Sequence, residues 1–211
     1  NHQVRPSEPA VTGARPTLAA PSSPAIEEQK PARELPRSGR LTINSSPQGA
    51  QVLMFAGISP LTMAGLPLRV AHEFVAVAEG RQPARAVVPA DAAWRDTPSG
   101  PRYELVLESG AATEAGHEWK LGPTLLPRDP GSPIGKLGQV RIETVPAAMR
   151  VYRLLGFTPE LRVDNFPLQE TAHLVLYESG YSAAKVEVEP GSWIASGDGL
   201  KAEIDIALEK M

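Results

Sequence analysis

The chain of 211 residues contains no cysteine, which excludes disulfide frameworks, zinc ribbons and thiol nucleophiles. It also lacks a basic excess: 21 Lys and Arg stand against 24 Asp and Glu, for a net charge of −3. Binding nucleic acid by counterion release needs a basic field, so no nucleic-acid partner is expected. No apolar run approaches the ~20 residues that cross a bilayer. A membrane connection is therefore expected only through a segment upstream of Asn1.

Catalytic patterns are missing as well. His2, His72, His117 and His173 are isolated, with no H-x-x-x-H or H-x-x-E-H spacing for a metal. No Gly-x-Ser-x-Gly elbow occurs, and Gly197–Gly199 lacks the lysine and helix of a phosphate loop, reading instead as a hairpin turn. Glu187, Glu189, Glu203 and Asp205 fall on outward strand positions, a solvated face rather than an acid–base pair. His72 and His173, in equivalent strands, read as hydrogen-bonding residues. The expectation is a non-enzyme with no catalytic residue, metal or cofactor.

What the chain has in quantity is 22 prolines and 18 glycines. Seven of those prolines, Pro6 to Pro36, lie in residues 1–38, which hold no aromatic residue. Such a segment buries too little apolar surface to offset its ordering entropy, and its proline favours an extended chain of ~3.1 Å per residue. Residues 1–38 read as a Pro- and Ala-rich linker or stalk.

Beyond it the sequence repeats itself. Gly39–Val52 lies over Gly138–Val151 without a gap. Gly57, Ser59 and Pro60 then match Gly156, Thr158 and Pro159, Leu66 and Pro67 match Phe166 and Pro167, Gly80 matches Gly180, and Trp94 matches Trp193. Within each copy the period is two: Leu41 and Ile43, Val140 and Ile142, Val186 and Val188, and Ala202, Ile204 and Ile206 alternate with polar neighbours. That is the pattern of half-buried antiparallel strands. Strands are expected near 40–45, 50–55, 68–79, 83–89 and 102–108, and again near 138–144, 148–154, 169–178, 183–189 and 200–208.

The chain therefore reads as all-β, two small antiparallel sandwich domains in tandem, at 39–108 and 137–211. Residues 109–136 form a Gly- and Pro-rich linker whose Leu125 and Leu126 either tuck against a sheet or are presented to a partner.

In Ser46-Pro47-Gln48-Gly49 the proline suits the second position of a type I turn and the glycine the fourth, reversing the chain between two paired strands. Gly57 to Pro60 reads as a second reversal. The set formed by Pro47, Gly49, Ala50, Val52, Gly57, Pro60 and Gly80 resembles the PEGA domain, a family named for a Pro-Glu-Gly-Ala motif. The first copy departs from that motif only at Gln48. The second keeps Pro146 alone of the four, with Gly156, Pro159 and Gly180 carrying the likeness, which suggests that proline sets the bend and glycine eases it. The resemblance implies a small β module on the outer side of a bacterial membrane, often repeated, attached to other domains, and without catalytic residues.

Trp94 and Trp193 occupy equivalent loops and either cap the open end of a sandwich or stack on a sugar. Trp119 has no counterpart and is the candidate aromatic anchor for a protein partner. Together these features imply a structural or protein-interaction module of a bacterial envelope, periplasmic or otherwise extracytoplasmic, with a protein partner or a homo-oligomer. The extracytoplasmic sensor region of a transmembrane Ser/Thr kinase or similar receptor is the alternative reading. A carbohydrate-binding module is the third.

Overall fold

Short apolar alternations bounded by Gly and Pro fold this chain into strands and very little else. The computed structural model describes residues 38–111, 120–127, 131, 134–197 and 199–211. Residues 1–37, with His2 and nearly all of the expected linker or stalk 1–38, and residues 112–119, with His117 and Trp119, lie outside them. The described part contains fourteen strands, one 3-10 turn at Pro190–Ser192 and no α-helix, so the chain is all-β.

The first copy supplies β1 (Ser38–Ser46), β2 (Gln51–Ile58), β3 (Leu61–Leu68), β4 (His72–Val77), β5 (Ala84–Val88), β6 (Arg95–Thr97) and β7 (Gly100–Glu108). The second repeats the order as β8 (Ile134–Val145), β9 (Arg150–Phe157), β10 (Leu161–Pro167), β11 (Ala172–Tyr177), β12 (Ala184–Val188), β13 (Ile194–Ser196) and β14 (Gly199–Ala207). Each copy thus has seven strands instead of five. The additional ones are β3 and β10, which lie ahead of the strands expected over 68–79 and 169–178 where no strand was expected, and the three-residue β6 and β13. β3 and β10 contain Pro67 and Pro167, and Gly65 and Asn165 have positive φ of 76° and 57°, features that read as turn. Both are edge strands of their sheets, where a missing N–H and a bulge are tolerated.

The strands form three sheets, ordered β10-β1-β14-β13, β12-β11-β2-β9-β4-β5 and β3-β8-β7-β6. The copies do not lie side by side. β1 sits between β10 and β14 of the second copy, and β8 sits between β3 and β7 of the first. β1 with β14 and β7 with β8 are parallel ladders, unlike the uniformly antiparallel sheets expected.

Following the cores instead of the repeats reveals the spatial organisation. Leu66, Phe74, Ala76, Val88, Leu107, Val140, Ile142 and Val151 share one core, and all its fully buried members fall within the contiguous segment 61–157. Leu41, Ile43, Ala50, Val52, Phe166, Leu174, Leu176 and Val188 share another, built from 38–58 together with 161–211. One lobe is therefore inserted into the other. The chain passes between them twice, at 58–61 and at 157–161, and the lobes meet where β2 pairs with β9.

Alternation then buries the central sheet on both faces. In β4, Phe74 and Ala76 face the first core, while Val75 and Val77 face outward with Leu53, Tyr152, Leu154, Val175 and Tyr177. Leu121 and Leu126 from the connection between β7 and β8 cover that outer face. A fully buried Leu contributes about 1.5–3 kcal/mol, so part of the sequence-assigned linker is a structural layer. β8 also begins inside it, at Ile134.

Candidate functional site

The crossings between lobes are where the repeated turn residues converge. Pro47 and Gly49 lie between β1 and β2, and Pro146 lies between β8 and β9; the joined strands belong to different sheets, so these turns link layers rather than paired strands. Gly57 and Pro60, and equivalently Gly156 and Pro159, stand at the two lobe crossings, which do not fold back into hairpins. Gly80 and Gly180 lie in the hairpin turns β4–β5 and β11–β12, where Arg81 N donates to Ala78 O and Tyr181 N to Glu178 O. The peptide bonds before Pro47, Pro60, Pro146 and Pro159 are cis.

Hydroxyl groups fasten each crossing to the opposite turn. Ser45 Oγ lies 2.5 Å from Thr158 Oγ1, which also accepts Ala50 N at 3.0 Å. In the mirrored position Thr144 Oγ1 bonds Ser59 Oγ at 3.0 Å and Pro146 O at 2.6 Å. All four side chains are buried, so the Ser and Thr of the repeated motif serve as internal fasteners and are unavailable as nucleophiles.

The second constellation is Glu73, which is fully buried although strongly polar. Its Oε1 is bonded by Arg85, whose other amino group donates to Gln51 Oε1 at 2.6 Å. Its Oε2 accepts Thr124 Oγ1 at 2.5 Å, Leu125 N at 3.0 Å and Leu126 N at 3.1 Å. Burying a carboxylate is costly unless its charge is paired and its lone pairs are filled, and here both conditions hold. The cluster clamps residues 124–126 onto the central sheet. A sequence signal existed: a lone acid in the apolar strand β4, with a lone cation in β5 that stands diagonal to it in the ladder, opposite Val75.

β4 and β11 begin at His72 and Ala172, so His72 and His173 are one place apart in register and face opposite sides. His72 is buried, and its Nε2 donates to Pro67 O at 2.8 Å. Burial above all, together with the nearby Arg153 charge, lowers its pKa to about 4. It is a neutral donor joining the end of β3 to the start of β4. His173 is exposed, its Nδ1 3.3 Å from Glu187, and Phe55 approaches it edge-on at 6.5 Å.

The tryptophans precede β6 and β13 and reach across the repeat boundary. Trp94 packs beside Tyr103 at 5.9 Å and against Gly138; Trp193 packs beside Phe166 at 5.9 Å and against Gly39. A Cβ at Gly138 or Gly39 would come within 2.7–2.8 Å of the indole carbons. Trp94 also lines an open groove of about 990 Å³ with Leu68, Arg69, Asp91, Asp96 and Lys136. Its buried indole N–H has no acceptor among the described residues.

Among the described residues no three His, Cys, Asp or Glu side chains gather as metal ligands, and no helix is long and apolar enough to cross a membrane. Comparison with protein-family models, curated proteins and solved structures returns no match to this chain.

Proposed function

We propose that the chain is a non-enzymatic structural and protein-interaction module of PEGA type, held at the outer side of a bacterial membrane by the Pro-rich segment 1–38. The reading is supported by one observation above others: the motif hydroxyls and the buried Glu73–Arg85 pair all bond the chain to itself, across lobes or onto the connection between β7 and β8. Such bonding produces a stiff spacer that presents surfaces. Fractionation of the native cells followed by in-cell cross-linking tests it. Recovery in the envelope, cross-linked to a protein, supports the proposal; recovery in the cytosol removes the location, and a single-residue-dependent turnover activity of the purified chain removes the non-enzymatic role.

The groove beside Trp94 favours carbohydrate binding as a second reading, because an indole face with Asp91 and Asp96 nearby can stack on a sugar and accept its hydroxyl protons. Glycan-array binding that disappears in Trp94→Ala would establish it. Binding unchanged by that substitution would remove it.

A further inference from the structure

The lobe formed by 38–58 and 161–211 is closed only because its first two strands enter from the far end of the chain. β1 makes a ladder with β10 on one side and with β14 on the other, from Arg40↔Lys201 to Ser46↔Ala207. β2 adds the pairing with β11. Leu41, Ile43, Ala50 and Val52 are four of the ten buried residues of this core. Without them β10 and β14 would each present a row of unpaired N–H and C=O groups flanking an apolar cleft.

The other lobe has no such dependence. Residues 61–157 are continuous and contain every fully buried member of their own core. The connection leading into β8 is also tied to this lobe: Glu73 clamps 124–126, and Gly131 lies against the Arg69 carbonyl and Ala90. β8 and β9 are thus bound in place beside the strands of their own chain. The arm 38–58 and the block 161–211 join this body covalently at the crossings 58–61 and 157–161, and otherwise through the β2–β9 ladder, the Gln51–Arg85 bond and the shared outer-face cluster of Leu53, Val175 and Tyr177.

We propose that the β1–β2 arm is a donor segment, and that the cleft between β10 and β14 accepts the arm of a second copy of this chain as well as its own. The exchanged form keeps every ladder and core contact of the closed form. Only one crossing, 58–61 or 157–161, has to open. Strand exchange of this kind needs no new complementary surface, because the surfaces were matched within one chain. In dilute solution the tethered arm wins through an effective concentration on the order of mM. Exchange takes over when chains are crowded or fold together: reciprocal exchange closes a dimer, and sequential exchange builds a head-to-tail series. This inference stands apart from the envelope reading and needs no membrane.

The absence of cysteine makes the test direct. Thr42 of β1 and Glu203 of β14 are register neighbours with outward side chains. T42C and E203C are placed in separate full-length chains, one carrying a mass tag, and the chains are unfolded together, refolded at high concentration and oxidised. The expected product is a disulfide-linked pair of one tagged and one untagged chain, at least tenfold above a T42C and D96C control, because Asp96 belongs to β6 in the other lobe. Light scattering of refolded wild type is expected to show the dimer rising with concentration. The proposal is overturned if the T42C/E203C double variant links within one chain while the mixed chains do not exceed the control. It is equally overturned if the double variant fails to link at all, since the arm then does not lie beside β14.

Discussion

Glu73 Oε2 accepts the backbone N–H of Leu126 at 3.1 Å, binding a residue of the long connection to a strand buried under it. Glu73→Ala would strand the Arg85 guanidinium, itself largely buried, and leave the Thr124 hydroxyl and Leu125 N–H donors unfilled, with Leu126 N keeping only Thr124 Oγ1. Breaking a buried pair from one side costs about 3–5 kcal/mol. Urea denaturation is expected to register that loss, and limited proteolysis is expected to cut faster within 120–127. Unchanged cleavage there would show that the clamp does not hold the connection.

His72 makes the fold sensitive to acid. Its folded pKa of about 4 lies below the ordinary 6.5, so between these values the unfolded chain binds the proton and the folded chain does not. Stability therefore falls as pH drops from 6.5 towards 4, by roughly 3 kcal/mol at full effect. His72→Gln keeps a donor for Pro67 O without a titration and is expected to flatten this part of the profile. Denaturation midpoints between pH 7 and pH 4 compare the two.

Ala148 occupies, at φ 62°, the place that Gly49 fills in the first copy at φ 95°. A Cβ is disfavoured in this region and glycine is not. Ala148→Gly is expected to raise stability by about 0.5–1 kcal/mol, net of the greater freedom of glycine in the unfolded chain. Gly49→Ala is expected to lower it by a similar amount, since its added Cβ meets nothing closer than Glu178 Oε2 at 3.6 Å. Thermal unfolding of both variants checks the pair of signs.

Gly39 and Gly138 are small for a different reason: each lies under the tryptophan of the other copy. An alanine would bring its methyl to 2.8 Å from Trp193 and the Leu200 carbonyl, or 2.7 Å from Trp94. Overpacking of this size costs about 1–3 kcal/mol. Gly39→Ala and Gly138→Ala are expected to destabilise the protein and shift tryptophan emission to the red. An unaltered spectrum would mean that the indoles are not seated on these glycines.

Local chemistry was legible in the sequence. The duplication, the period of two, and the turns at Pro47, Gly80, Pro146 and Gly180 follow from spacing and backbone preference. Part of the candidate site was legible too, because an acid inside β4 and a cation inside β5 announce a pair. Thr124 was not, since no local pattern says that a connection fifty residues onward supplies its hydroxyl to Glu73.

Partner choice among strands was decided only in three dimensions. Leu41 and Ile43 have the same alternation as Val140 and Ile142, so either first strand satisfies either core, and periodicity cannot distinguish a copy that closes on itself from one that exchanges. The crossings at 58–61 and 157–161 make the choice by carrying each chain segment into a different sheet from the strand before it. Sequence by itself determined that two alike sets of strands would form; the tertiary structure decided that each core would be completed by the other copy, because identical apolar patterns leave pairing to the path of the connections.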